Sequence, residues 1–138
     1  MYIDSNVFIF AATDKGKLGR DCREIINLIT RQKITCAASF LIVDEVMWIL
    51  KKSIGKESVV KITKDMLSLP IKLIEIDRSI IIRMMDIYEK TTLDPRDAIH
   101  VSPMKEVGLS IMVSEDKDFD NISGVERISA SKCIKKYH

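Results

Sequence analysis

The stretch Met1-Tyr2-Ile3-Asp4-Ser5-Asn6 decides how the rest of the chain is read. A short β-prone run is cut by the polar Asp4-Ser5-Asn6, after which Val7-Phe8-Ile9-Phe10-Ala11-Ala12 is apolar again. The reading is a buried strand that breaks at Asp4. A carboxylate closing a buried strand is unusual enough to ask which residues close each of the other strands.

Outward from that stretch, Asp14-Lys15-Gly16-Lys17 is turn-like, and Cys22, Ile25, Ile26 and Ile29 fall at i, i+3, i+4 and i+7, the stripe of an amphipathic helix. Residues 33–37 read as a second strand, and Ser39 is placed to cap a helix running to about residue 52. That helix is apolar nearly all round, from Phe40 to Leu50, so it is expected to be buried on more than one face, with Asp44 and Glu45 interrupting it. After Gly55 a more polar helix over 57–69 ends at Pro70, and residues 71–76 alternate as a half-covered strand does. Asp77 caps a helix carrying Ile80, Ile81, Met84, Met85 and Tyr88, and another helix starts near Pro95. Pro103 inside that helix predicts a kink or an early end, since an internal Pro costs about 3 kcal/mol. A strand over 109–113 and a last apolar run over 125–128 complete the pattern. Short strands separated by helices define an α/β domain with a mostly parallel sheet, because parallel neighbours need crossovers of this length.

Composition agrees with one compact domain over residues 1–138: 46% of the chain is hydrophobic and 30% charged, with 5 Gly and 3 Pro. Disorder and collagen-like repeats are excluded. The net charge of +2 provides no global basic field, and residues 1–70 carry 11 Lys+Arg against 8 Asp+Glu while residues 71–138 carry 11 against 12. No stretch reaches the roughly 18 to 20 apolar residues of a membrane helix, and no leader pattern opens the chain, so a cytoplasmic, non-membrane protein is expected. Cys22, Cys36 and Cys133 have no CxxC spacing and are expected to be buried thiols.

In an open parallel sheet, ligands bind outside the carboxyl ends of the strands, where strand order reverses. Asp4 closes the first strand, and Ser114-Glu115-Asp116-Lys117-Asp118-Phe119-Asp120 comes directly after the strand ending at Val113, so both acidic sites map to one edge. A third lies at Leu93-Asp94-Pro95-Arg96-Asp97, and a fourth is Asp44 or Glu45, between which periodicity does not choose. Each has a structural alternative. Asp4 suits a turn, Asp94 and Asp97 suit a helix start, and residues 115–120 suit a solvated loop. Together they pose an electrostatic problem: two charges about 4 Å apart repel by roughly 4 kcal/mol at an effective dielectric of 20. Either some carboxylates stay protonated or a cation joins them. Oxygen ligands suit Mg²⁺ or Mn²⁺, and two histidines, His100 and His138, are too few for a His-based zinc site.

Asp4-Ser5-Asn6 after the opening strand, Glu45 in an apolar helix, Arg96-Asp97-Ala98-Ile99-His100 at a helix start and Ser114-Glu115-Asp116-Lys117-Asp118-Phe119 after a late strand occur in an order that resembles the PIN-domain ribonucleases. The resemblance runs from the first residues to about Phe119. It implies a three-layer α/β/α fold with a central parallel sheet and a Mg²⁺- or Mn²⁺-dependent endoribonuclease site. It also implies an acidic quartet of Asp4, Glu45, Asp97 and Asp116, with Asn6 and Ser114 ordering the site and Asp118 as a further acid near the metal. On this resemblance Glu45 is chosen over Asp44. The reaction implied is in-line hydrolysis of RNA, one ion activating water and a second stabilising the leaving 3′ oxygen, with a 5′ phosphate on the product. Family members of this size are commonly toxins of VapBC-type toxin-antitoxin pairs, dimeric and inhibited by a small antitoxin, so a VapC-type toxin, a homodimer and an antitoxin partner are the expectations. A ribosomal RNA processing nuclease and a non-catalytic metal- or partner-binding module are the alternatives. A haloacid-dehalogenase-type phosphatase is disfavoured, because it wants a second Asp two residues after the first, where this chain has Asn6. Candidate phosphate contacts are Lys15, Lys17 and Arg20, and Lys51, Lys52 and Lys56.

Overall fold

The computed structural model describes residues 1–137; His138, one of the two histidines of the chain, lies outside the described residues. Five strands, β1 (Tyr2–Ile3), β2 (Cys36–Ser39), β3 (Ile71–Ile74), β4 (Ile111–Val113) and β5 (Glu126–Ile128), form one sheet in the order β3-β2-β1-β4-β5. All four pairings are parallel, with Tyr2 opposite Ala37 on one side and Met112 on the other. Among the described residues seven α-helices, α1 (Ser5–Thr13), α2 (Lys17–Thr30), α3 (Leu41–Ile54), α4 (Lys56–Leu67), α5 (Arg78–Lys90), α6 (Pro95–Glu106) and α7 (Ala130–Tyr137), connect the strands and follow the last one, except that β4 and β5 are joined through a single 3-10 turn, Lys117–Phe119.

The strands alternate between two cores, as a period of two requires. Ile3, Cys36, Ala38 and Val113 face a core shared with α1, α2, α3, α4 and α7, whereas Tyr2, Ala37 and Met112 face a second one shared with α5 and α6. This is the expected three-layer α/β/α arrangement. The small residues of β2, all buried, let helices approach the sheet on both faces. Cys22, Cys36 and Cys133 are free and buried, and burial pushes the Cys36 thiol up to about 11.

Several local expectations change. The apolar run after Asp4 is the helix α1, which packs Val7 and Phe8 into the core; its β-branched and aromatic residues yield to tertiary burial. Ser39 ends β2 instead of capping α3, whose N-cap position is Phe40 and carries no side-chain cap. Only Ile42, Val46 and Leu50 of α3 are buried, and Met47, Trp48 and Ile49 are exposed, so this helix is covered on one face rather than several. α6 does not end at Pro103 but continues to Glu106, held by burial of residues on both sides of the Pro and by Ser102 Oγ donating to the Ile80 carbonyl of α5. α7 was not anticipated: its start is tied to the sheet edge by the Ala130 amide donating to Glu115 Oε1 at 2.6 Å.

The turn between α1 and α2 depends on one glycine. Asp14 Oδ1 accepts from the amides of Gly16 and Gly19, and a Cβ at Gly19 would lie 1.8 Å from the Asp14 carbonyl oxygen. Only glycine permits that approach.

Candidate active site

The sequence runs outward from β1 through β2 to β3, then returns to the other side of β1 for β4 and β5, so strand order reverses between β1 and β4. Asp4 stands directly after β1 and Ser114 directly after β4, which sets both at this switch point. The Asp4 amide donates to the Val113 carbonyl at 3.2 Å, prolonging the ladder by one step before α1 turns away.

The Asp4 carboxylate is 6% exposed and is held from three directions. Its Oδ2 accepts from Ser114 Oγ at 2.6 Å and from Asn6 Nδ2 at 2.6 Å, and its Oδ1 accepts from Ser5 Oγ at 3.3 Å. Asn6 Nδ2 also donates to Ser114 Oγ at 2.8 Å, and its Oδ1 accepts the Glu115 amide at 3.4 Å. Ser114 Oγ in turn accepts the Asp116 amide at 3.0 Å, and Asp116 Oδ1 accepts the Asp118 amide at 2.9 Å. A single network therefore runs from the end of β1 to the loop after β4. Burial pushes the Asp4 carboxyl above the usual range, opposed by His100 and by the Ser114 hydrogen bond.

Around this network the acids gather in two groups. Asp4, Glu45 and His100 bring one ligand atom each to within 4.8 Å of one another, and Asp97, Asp116 and Asp118 do the same. Asp97 occupies the first turn of α6, where the expected N-cap residue Asp94 makes no side-chain capping bond. Burial, then the charges of Asp116 and Asp4, push its carboxyl up to about 6. Asp44 is exposed, whereas the Glu45 side chain is 12% exposed and turned toward His100. Burial acts to raise the Glu45 carboxyl, but hydrogen bonding and charge from His100, with help from Ser5 and Arg96, outweigh it and hold it below the ordinary value.

His100 was considered in the sequence only as a zinc ligand, and its place beside Glu45 was missed. It is 2% exposed, and its Nε2 lies 3.0 Å from both Glu45 oxygens. Its Nδ1 lies 2.8 Å from the Tyr2 hydroxyl, which accepts the Ser39 amide at 3.0 Å. With Nε2 carrying a proton aimed at Glu45, the neutral ring accepts the Tyr2 hydroxyl proton at Nδ1, and the charged ring donates from both nitrogens. Burial works against the charged ring, yet Glu45, Asp4 and Asp97 raise its pKa above the ordinary value. The signal was available: His100 stands three residues after Asp97, on the same face of α6.

The donor set fits a hard divalent cation. Asp97, Asp116 and Asp118 offer carboxylate oxygens only, and among the described residues no Lys or Arg forms an ion pair with any of them. By contrast the next acid along, Asp120, is neutralised by Arg127 at 2.7 Å. Both ring nitrogens of His100 are engaged within the protein, which leaves Asp4 and Glu45 as the oxygen donors of their group.

Sheet order and site together define a parallel α/β/α domain with a carboxylate cleft at its switch point. The PIN domain family model matches residues 1–125, and the chain belongs to the PIN domain family. No protein of curated function matches it in sequence. Among solved structures it is similar to VapBC from Salmonella typhimurium bound to DNA, at 21% identity and a TM-score of 0.71 over 94% of this chain and 96% of that one. It is also similar to a toxin-antitoxin complex from Klebsiella pneumoniae, at 20% identity and a TM-score of 0.67 over 91% and 94% of the two chains. A third is VapC20 of Mycobacterium tuberculosis, described as a sarcin-ricin loop cleaving toxin, at 12% identity and a TM-score of 0.69 over 85% and 90%. At these identities the likeness is one of fold.

Proposed function

We propose that the chain, acting as one domain over residues 1–138, is a divalent-metal-dependent endoribonuclease and the toxin of a VapBC-type pair. The observation that carries this reading is the meeting of Asp97, Asp116 and Asp118, without a counter-ion from Lys or Arg among the described residues, beside Asp4 and Glu45 at the switch point of a PIN fold. Asp97, Asp116 and Asp118 would hold Mg²⁺ or Mn²⁺, with Asp4 and Glu45 completing the acidic wall. Bound there, the metal supplies Lewis-acid stabilisation of charge at a phosphodiester. The protein's own part is preorganisation. Ser114 and Asn6 donate to Asp4 Oδ2 and fix that carboxylate, and His100 donates to Glu45 and keeps it ionised. Asn6 also ties the loop after β4 to the start of α1, so the elements that carry Asp4 and Asp116 are hydrogen-bonded to each other.

The test is incubation of the purified protein with RNA in Mn²⁺, Mg²⁺ or EDTA, beside Asp97→Asn. Cleavage is expected in the metal ions and lost in EDTA, and the variant should fall by at least about 10²-fold, the scale on which a preorganised electrostatic group acts. Cleavage unchanged in EDTA or in the variant removes the reading. For the toxin role, induced expression should arrest growth of the host and the variant should not; equal growth of both cultures removes the toxin role and leaves the ribosomal RNA processing alternative.

Two of the similar solved structures are toxin-antitoxin complexes, which supports a protein antitoxin as partner; a cytoplasmic setting is part of the same proposal. Among the described residues no helix is long and apolar enough to cross a membrane. A homodimer is supported by α5, where Ile82, Met85 and Tyr88 project at 55%, 53% and 49% exposure along one side of the helix.

A further inference from the structure

The loop that carries Asp116 and Asp118 is held at both ends by one side chain from the edge of the sheet. Arg127 is the middle residue of β5, where it pairs with Met112 of β4. Its guanidinium donates from Nε to Asp120 Oδ1 at 2.7 Å, from Nη2 to Asp120 Oδ2 at 3.0 Å, and from Nη1 to the Ser114 carbonyl at 3.0 Å. Ser114 opens the loop and Asp120 follows the 3-10 turn Lys117–Phe119, so a single planar group touches both ends of the segment that presents the two acids. The Arg127 side chain is 14% exposed, and water competes little for these bonds. Hydrogen bonding to Asp120 raises the Arg127 pKa above its ordinary value, with the charges of Asp120, Glu115 and Asp116 adding to it, so the group stays charged.

This clasp opposes a force within the site. Asp97 is fixed in the first turn of α6, and the charge of Asp116 is among the causes that push its carboxyl up. Without a cation, the loop is the part that yields to such repulsion, because a loop moves more readily than a packed helix. Two bonds within the loop resist this, Ser114 Oγ accepting the Asp116 amide and Asp116 Oδ1 accepting the Asp118 amide, and Phe119 is 1% exposed in the core. None of these contacts joins the two ends. Arg127 does, and it directs its charge to Asp120 rather than to the acids that would take a cation.

We propose that Arg127 is a positioning residue that sets the cation selectivity of the site, clasping both ends of the loop so that Asp116 and Asp118 keep fixed donor positions relative to Asp97. The inference rests on the reading of these three acids as ligands of a divalent metal. Mg²⁺ demands near-ideal octahedral donors at about 2.0–2.1 Å, whereas Ca²⁺ accepts a looser shell at about 2.3–2.6 Å. Donors set free to move lose more affinity for the ion with the stricter demand.

The experiment titrates the metal-free, full-length protein with Mg²⁺ and, separately, with Ca²⁺ by calorimetry, with no RNA present, for wild type, Arg127→Gln, Arg127→Lys and Asp120→Asn. Arg127→Gln should weaken Mg²⁺ binding by about 10- to 100-fold, the scale on which groups that orient metal ligands act, and Ca²⁺ binding by less. The sign is decisive, since deleting a positive charge beside the acids would by itself tighten both ions alike. Arg127→Lys keeps the charge without the fork and should resemble Arg127→Gln. Asp120→Asn weakens the clasp from its outer side, at a side chain already 43% exposed, and should also lower the ratio of Mg²⁺ to Ca²⁺ affinity. It decides the matter if Arg127→Gln does not fold, which circular dichroism reads on the same samples.

Mg²⁺ binding in folded Arg127→Gln as tight as in wild type or tighter, wild-type binding in Arg127→Lys, or an unchanged ratio of the two affinities in Arg127→Gln or Asp120→Asn overturns the inference and leaves the metal reading standing. If wild type binds neither ion, nor Mn²⁺, the metal reading falls and the inference with it.

Discussion

Asp97 carries its carboxyl at about 6 because burial and the charges of Asp116 and Asp4 all disfavour the anion. A carboxyl whose folded-state pKa lies above its unfolded value binds more protons in the native state than in the unfolded one. Native stability then falls as pH rises between the two values, here from about 4 to about 6. The metal-free protein should accordingly lose stability across that window, and Asp97→Asn should lose less. Urea melts in EDTA at a series of pH values check this, and wild type and variant showing the same slope would contradict it. Added Mg²⁺ or Mn²⁺ should restore the wild-type loss at neutral pH, since ligand bound only to the native state stabilises it. Among single residues, Asp4, Asp97 and Asp116 were legible because backbone position alone sets them at strand ends and a helix start. Asp44 and Glu45 were not separable from the local pattern, since both have apolar residues four positions away on either side. The choice depends on where His100 stands across the site, 55 residues further on. His100 itself was weighed as a zinc ligand and so missed as a hydrogen-bond donor to a carboxylate.

The element that departs furthest from its sequence is α3. An apolar run of this length reads as buried on more than one face, and yet Met47, Trp48 and Ile49 face outward. Hydrophobic pattern reports which residues avoid water in the working state of a protein, and it does not distinguish a core from a surface that meets a partner. The same holds for α5, whose exposed Ile82, Met85 and Tyr88 lie along one face. If a second copy covers that face, Met85→Glu should leave the monomer folded, because the side chain is already 53% exposed, and should raise the dimer dissociation constant by about tenfold or more, since it would bury an unpaired charge. Sedimentation equilibrium reads this directly; a variant as dimeric as wild type, or a wild type that stays monomeric at high concentration, contradicts it. α7 escaped the sequence reading for the opposite reason. Only Ala130 and Cys133 of its eight residues are buried, too few to display a period, and its start is fixed from a distance by Glu115. Of the kink or early end that Pro103 predicts for α6, the early end does not occur: the helix runs on to Glu106 with residues on both sides of the Pro buried.

For the molecule as a whole, the order of short strands and helices was enough to give an α/β domain with a mostly parallel sheet, the length of each crossover dictating parallel pairing, while the three-layer α/β/α arrangement was implied by the family resemblance. The net charge of +2 gave no hint of a nucleic-acid enzyme, because it sums an acidic edge and scattered basic residues. What matters is their separation: Asp97 at the start of α6 meets Asp116 and Asp118 from the loop after β4, while Lys51, Lys52 and Lys56 line a groove between α3 and α4. A cation at the first group would reverse the local sign where a phosphodiester must sit. The central claim, that these carboxylates bind a divalent metal in order to cut RNA, is tested most directly by titrating Mn²⁺ into the metal-free protein and reading bound Mn²⁺ and RNA cleavage on the same samples. Wild type should gain both together, and Asp97→Asn should lose both. Cleavage at full rate before any Mn²⁺ is bound, or in the variant that binds none, would contradict the account.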